Sequence, residues 1–198
     1  MERPGKNKKR QKLAACVAAA AILLALQPGP ARAQDQNAVF LIQIYNNVCL
    51  RFLNKPDQVR AWAKEKQLPP IADQGVRDAF VGPGAQGDAW IVPSPTGDRF
   101  AVSIRAATQG CAAWAIKADP RYVIPAFIQQ VEGFARPGYE IRKDNDESHD
   151  TPFGVSRSMS YYMRNTSNDV GFEFSAVTAE RPGGVFQATL QVSKVERH

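Results

Sequence analysis

The chain has 198 residues, with 25 Lys+Arg against 19 Asp+Glu and a formal net charge of +6. Seven of the basic residues and one acidic residue fall in residues 1–33, which leaves 18 of each sign in the rest. The basic balance therefore belongs to the leading segment and gives no warrant for a nucleic-acid partner or for attraction to an anionic membrane surface.

Residues 1–33 read as a secretory signal peptide. Arg3, Lys6, Lys8, Lys9, Arg10 and Lys12 form a positive region, Leu13 to Leu26 an apolar run of 14 residues, and Ala31-Arg32-Ala33 an A-x-A cleavage site. The run is too short to span a bilayer comfortably. Cys16 stands near its start, whereas a lipid-acceptor cysteine would stand at its end. The expected product is a soluble periplasmic or secreted protein with no stable membrane insertion after signal cleavage. Residues 34–198 are long enough for one well-buried domain and too short for two of ordinary size.

From Asp35, a capping residue, Phe40, Leu41, Ile44, Tyr45, Val48, Cys49 and Phe52 recur at spacings of three and four and predict a first helix with one apolar stripe. A second helix follows Asn54, with Pro56 in its first turn and Val59, Trp62 and Ala63 on its apolar side; Leu68-Pro69-Pro70 ends it. Trp62 reads as a core anchor. Ile71 to Gly87 reads as a connector with one helical turn around Val76 to Phe80. Its Gly82, Gly84 and Gly87 match G-x-G-x-x-G literally, but a dinucleotide site needs a strand before the glycines and a helix after them, and here the order is reversed.

Three short apolar runs follow. Ala89 to Val92 is stopped by Pro93 and Pro95; Phe100, Val102 and Ile104 alternate with Ser103 and Arg105; Cys111 to Ile116 is apolar on both sides and reads as a central, doubly covered strand. Asp119 and Pro120 then open the most regular helical pattern in the chain, Val123, Ile124, Phe127, Ile128, Val131 and Phe134, ended by Arg136-Pro137-Gly138.

Tyr139 to Lys143 predicts a short strand, and Asp144 to Asp150 an acidic loop. That loop is the candidate for a metal. Aligned on a calcium loop, Asp144, Asp146, Ser148 and Asp150 take oxygen-donor positions, but His149 stands where glycine is needed and Val155 where a bidentate glutamate is needed, so a solvated polar loop is expected. The last third alternates. Val155, Met159, Tyr161 and Met163, then Val170, Phe172, Phe174 and Ala176, then Phe186, Ala188, Leu190 and Val192 form the inward sets of three strands. Their outward sets, among them Ser158, Ser160, Tyr162, Glu173, Gln187, Thr189 and Gln191, make a polar, nearly uncharged surface that is the candidate binding face. An antiparallel sheet turning one face to water would look the same.

The mature segment keeps two cysteines, Cys49 and Cys111. In an oxidising compartment their default is a disulfide, closing a loop of about 60 residues and contributing about 4 kcal/mol on the chain-entropy estimate. Nothing local supports a reactive thiol paired with His149. No catalytic constellation is legible: the only histidines are His149 and His198, and there is no G-x-S-x-G, H-E-x-x-H or C-x-x-C. No cofactor is implied. Carboxylates far apart in sequence are the remaining route to catalysis.

The order of Cys49 in a first helix, the strand Gly87-Asp88-Ala89-Trp90 and then Cys111 resembles a family of small uncharacterised exported proteins and lipoproteins of Gram-negative bacteria, over Ala38 to Phe134. The resemblance transfers no catalytic residue, and lipid anchoring does not carry over because the acceptor cysteine is lacking. The expected fold is α+β: an antiparallel sheet of about six strands with two N-terminal helices and one mid-chain helix on one face. The expected role is binding an envelope protein or a polar polymer, in one version as an inhibitor or immunity protein. The alternative is a hydrolase of envelope polymers using paired carboxylates.

Overall fold

The computed structural model describes residues 35–167 and 170–196. The predicted signal peptide with its Cys16, and His198, lie outside the described residues. The elements run α1 (Gln36–Ile44), a π-helical turn (Tyr45–Leu50), α2 (Pro56–Glu65), α3 (Gln74–Val81), β1 (Gly87–Val92), β2 (Phe100–Arg105), β3 (Gly110–Ala115), α4 (Pro120–Glu132), β4 (Tyr139–Thr151), β5 (Gly154–Asn165), β6 (Val170–Ala179) and β7 (Ala188–Glu196). The strands form one sheet of seven, in the order β1-β2-β3-β7-β6-β5-β4, and every neighbouring pair is antiparallel.

The helices start where short acidic side chains can satisfy free amides. Asp35 accepts from Asn37 N, Asp73 from Val76 N and Asp119 from Arg121 N. Asp35 also accepts from Asp119 N, so one carboxylate joins the starts of α1 and α4. Buried Asn37 completes that corner, donating to Asp98 at 2.7 Å and accepting from Thr96 Oγ1 at 2.7 Å, which fastens the β1–β2 connection to α1. The first helix departs from the uniform one expected: its stripe continues through Tyr45, Val48 and Cys49 as a π turn.

The larger core gathers α1, the π turn, Val59 of α2 and α4 with Val92, Phe100, Val102, Ile104, Cys111, Ala113 and Ala115 of the first three strands. Met159, Tyr161, Met163, Phe174, Ala176, Ala188, Leu190 and Val192 continue it across the others. Trp62 is partly buried against it. Within it, fully buried Tyr45 donates its hydroxyl to the Gln191 carbonyl at 3.2 Å, and burial pushes the phenol well above its ordinary pKa. Cys49 of the π turn and Cys111 of β3 meet at disulfide-bonding distance, with Cα atoms 5.2 Å apart.

Five expectations are corrected here. The sheet has seven strands, not about six, and the Asp144–Asp150 segment, read as a loop, is strand: it continues β4 to Thr151. The connector turn is a helix, α3, and it lies in a separate, smaller core of Phe80, Val81, Ala89, Ala101, Ala112 and Trp114. Strand β2, read as half-buried, is therefore covered on both sides, and β3 owes its two apolar faces to α1 and the π turn on one side and α3 on the other. Phe186 does not point with Ala188 and Leu190. It packs against the smaller core, with ring centroids 4.8 Å from Phe80 and 4.6 Å from Trp114. Val155, assigned inward, is 45% exposed near the β4–β5 turn.

The glycines of the literal G-x-G-x-x-G match have structural work. Gly82 ends α3 at φ +98, and a Cβ on Gly87 would come within 2.1 Å of the Ile104 carbonyl oxygen across the β1–β2 pair.

Two stability outcomes follow. Replacing Cys49 and Cys111 together by serine should lower the unfolding free energy by about 2–5 kcal/mol; urea denaturation with an unshifted midpoint would show that the pair contributes nothing. Ser103, 1% exposed, accepts from Trp114 Nε1 at 2.9 Å and donates to the Phe80 carbonyl at 3.2 Å. Ser103→Ala leaves that indole N–H unpaired and should cost about 1–3 kcal/mol in the same experiment.

Candidate binding face

The two sides of the sheet are covered unequally. On the side away from the larger core, α3 lies over β1 and β2 and packs with Ala112 and Trp114 of β3. The alternate residues of β7, β6 and β5 continue that side past it. The registers set them in rows: Gln191, Ser175 and Ser160 in one; Thr189, Val177 and Ser158 in the next; Ser193, Glu173 and Tyr162 in a third. Across β4 these rows end at Asn145, Glu147 and Arg142.

Six of the seven predicted face residues, Ser158, Ser160, Tyr162, Glu173, Thr189 and Gln191, stand on this side and are half-buried. Gln187 does not. It is 5% exposed, accepts from Ala118 N at 2.9 Å and donates to the Glu180 carbonyl at 3.2 Å. Strict alternation fails where the chain enters β7, and the amide that looked outward satisfies buried backbone instead. Sequence reading also missed Val177, 44% exposed in the middle of the face between Ser158 and Thr189; its place in the alternation with Glu173 and Ser175 was the available signal.

Tyr162 has a defined seat. A Cβ on Gly171 would come within 2.3 Å of its hydroxyl, so the ring lies across the one position of β6 that carries no side chain. The Arg142 guanidinium is 5.9 Å from the ring centroid. The arrangement presents hydroxyls, one amide, one carboxylate and one aromatic ring on a strand framework. It can make hydrogen bonds and offer contact area.

The acidic segment is an edge strand. Asp144 sits at a bulge and pairs with Arg142 at 2.6 Å; Asp146 lies between Lys143 at 3.0 Å and Arg157 at 2.8 Å. Asp150 and His149 are exposed farther along β4. Strand alternation sends Asp146 and Asp150 to the side of Met159 and Val155, away from the row that holds Glu147. Among the described residues no group of three or more His, Cys, Asp or Glu side chains is placed to hold a metal ion. Other carboxylates are likewise in surface ion pairs, Asp57 and Asp88 with Arg60, Asp119 with Arg121 and Glu140 with Arg164. A cleft of about 380 Å³ between α1 and α4 is lined by Ile42, Ala126, Gln129, Gln130, Gly133 and Phe134, none of them ionisable.

Hydrogen bonds from Arg157, and then from Lys143, hold the Asp146 carboxyl at about 2 against an ordinary 3.8. Because the folded value is depressed, the stabilisation is fully present above the ordinary value and is lost as pH falls through the folded one. Arg157→Gln should move the Asp146 titration, followed by carboxyl-carbon NMR, upward toward its ordinary value; an unmoved midpoint would mean that Lys143 alone sets it. No family model, curated protein or solved structure matches this chain.

Proposed function

We propose that this chain is an exported, non-catalytic binding protein of the bacterial cell envelope, and that the open face of β5, β6 and β7 is its working surface. One observation carries the reading. The second side of the sheet is covered by α3 only as far as β3, so contiguous rows of serine, threonine and glutamine around Val177 stay open. A hydroxyl- and amide-rich strand face with little net charge suits a polar polymer or the surface of a partner protein, the inhibitor type being the narrower version. Cysteines placed at bonding distance fit an oxidising compartment, which supports a periplasmic or secreted location and cleavage of residues 1–33. Among the described residues no helix is long and apolar enough to cross a membrane. The order of Cys49, Gly87–Trp90 and Cys111 supports kinship with small exported proteins of Gram-negative bacteria.

The test uses the protein as its host exports it, incubated with isolated cell-wall polymer and with envelope extract, beside a Ser158→Arg/Ser175→Arg/Thr189→Arg variant. The expected result is one retained polymer or partner whose binding falls at least about tenfold in the variant, while circular dichroism and thermal midpoint stay unchanged. Equal retention by both forms would move the surface elsewhere. Turnover of the polymer by the unaltered protein would replace binding by the carboxylate hydrolase.

A further inference from the structure

We propose that two copies of this chain join edge to edge through β4, in the antiparallel register whose two-fold axis passes between Asp144 and Asn145. The two edges of the sheet differ. The outer side of β1 is occupied by the chain itself: Ile71 N donates to the Ala89 carbonyl at 2.9 Å, Ile91 N donates to the Pro69 carbonyl at 3.0 Å, and Pro70 bridges to Trp90. At the other end, β4 pairs with β5 on both sides of the bulge at Asp144 and is the last strand of the sheet, so its outer row of backbone groups faces outward.

The side chains of β4 specify what could lie beside it. Its two basic residues, Arg142 and Lys143, stand before the bulge beside Glu140, and Asp146, Glu147 and Asp150 stand after it. An antiparallel copy of the same strand sets one half against the other. Bulges commonly keep edge strands apart; here the bulge at Asp144 also exchanges the faces of the two halves. Before it, Lys143 stands opposite Tyr161, on the larger-core side; after it, Asp146 stands opposite Met159, on that same side. Arg142, opposite Tyr162, and Glu147, opposite Ser158, share the open side.

An axis between Asp144 and Asn145 therefore puts Lys143 opposite Asp146, and Arg142 opposite Glu147, each on a common face and each twice by symmetry. Glu140 then meets His149, and Ile141 meets Ser148. Moving the axis by one residue sets Glu140 against Glu147 in one direction and Asp144 against Glu147 in the other. Placing it on a residue pairs opposite faces. One register alone matches both face and charge. Main-chain pairing supplies the contact and the charges choose the alignment.

Sedimentation equilibrium of the full chain at low ionic strength should give twice the mass of one chain, with association weakening as salt rises. Arg142→Glu or Glu147→Arg alone places like charges opposite and should weaken self-association about tenfold or more, while the two together should restore it. Circular dichroism checks that each variant folds, and hydrogen exchange should show β4 amides slowing as the dimer forms. A single-chain mass at every concentration, a dimer indifferent to either single reversal, or a double variant that stays weak would each overturn the proposal.

Discussion

The join between the π turn and β3 is the constraint on which the rest of the fold depends. Cys49 and Cys111 bring one helical segment to 5.2 Å, Cα to Cα, from the third strand of a seven-stranded sheet. So close an approach needs small side chains around it, and β3 supplies them as Ala112, Ala113 and Ala115 beside Gly110. The same economy lets α3 come down on the other side, where Trp114 fills the space that the alanines leave and gives its indole N–H to Ser103. A strand of larger residues would hold the helical layers farther off on both sides and separate the two sulfurs.

That join explains how the N-terminal segment sits on strands formed late in the chain. Tyr45, next to the bridge on the π turn, reaches β7 through its hydroxyl, and α4 packs beside α1 and against β6 and β7. Closing a loop of 62 residues restricts the unfolded chain, and the polar corner of Asp35, Asn37, Thr96 and Asp98 holds the other end of α1 in register with the sheet. The helix is thus fixed near both ends, by sulfur and by charge-assisted hydrogen bonds.

Much of this arrangement was legible in residue spacing, because periods of two and of three to four report burial directly. The stripe through Cys49, the alternation from Met159 to Met163 and the helix after Asp119 are of that kind. The cysteine pair needed only a compartment. What spacing could not report were contacts made by a different part of the chain. Asp144 to Asp150 has the composition of a loop and is a strand because β5, whose own inward residues are apolar, offers it a continuous ladder. Ser103 looked solvent-facing because Phe80 of α3, whose carbonyl it meets, lies 23 residues away. Gln187 looked like part of the candidate face, yet the alternation breaks one residue before β7 begins, and its amide turns to Ala118 and Glu180. The other six residues of the candidate face do share one side of the sheet, because β5, β6 and the body of β7 keep strict alternation between their ends.

The unequal cover of the sheet also divides residues that the fold needs from residues that it needs little. Strands β5, β6 and β7 are held from one side, by Met159, Phe174, Ala176, Leu190 and Val192 packed under α4 and the π turn. Their other side contributes little apolar burial: Ser160, Ser175 and Gln191 are half-buried polar residues, and Val177 is largely exposed. Changes at these four positions remove few packing contacts, so their cost to stability should be small. Over β1 to β3 the opposite holds, since any change at Ala101, Ser103, Ala112 or Trp114 disturbs the seat of α3. The face beyond α3 can therefore vary in side chain with little loss of the scaffold, whereas the face beneath α3 cannot.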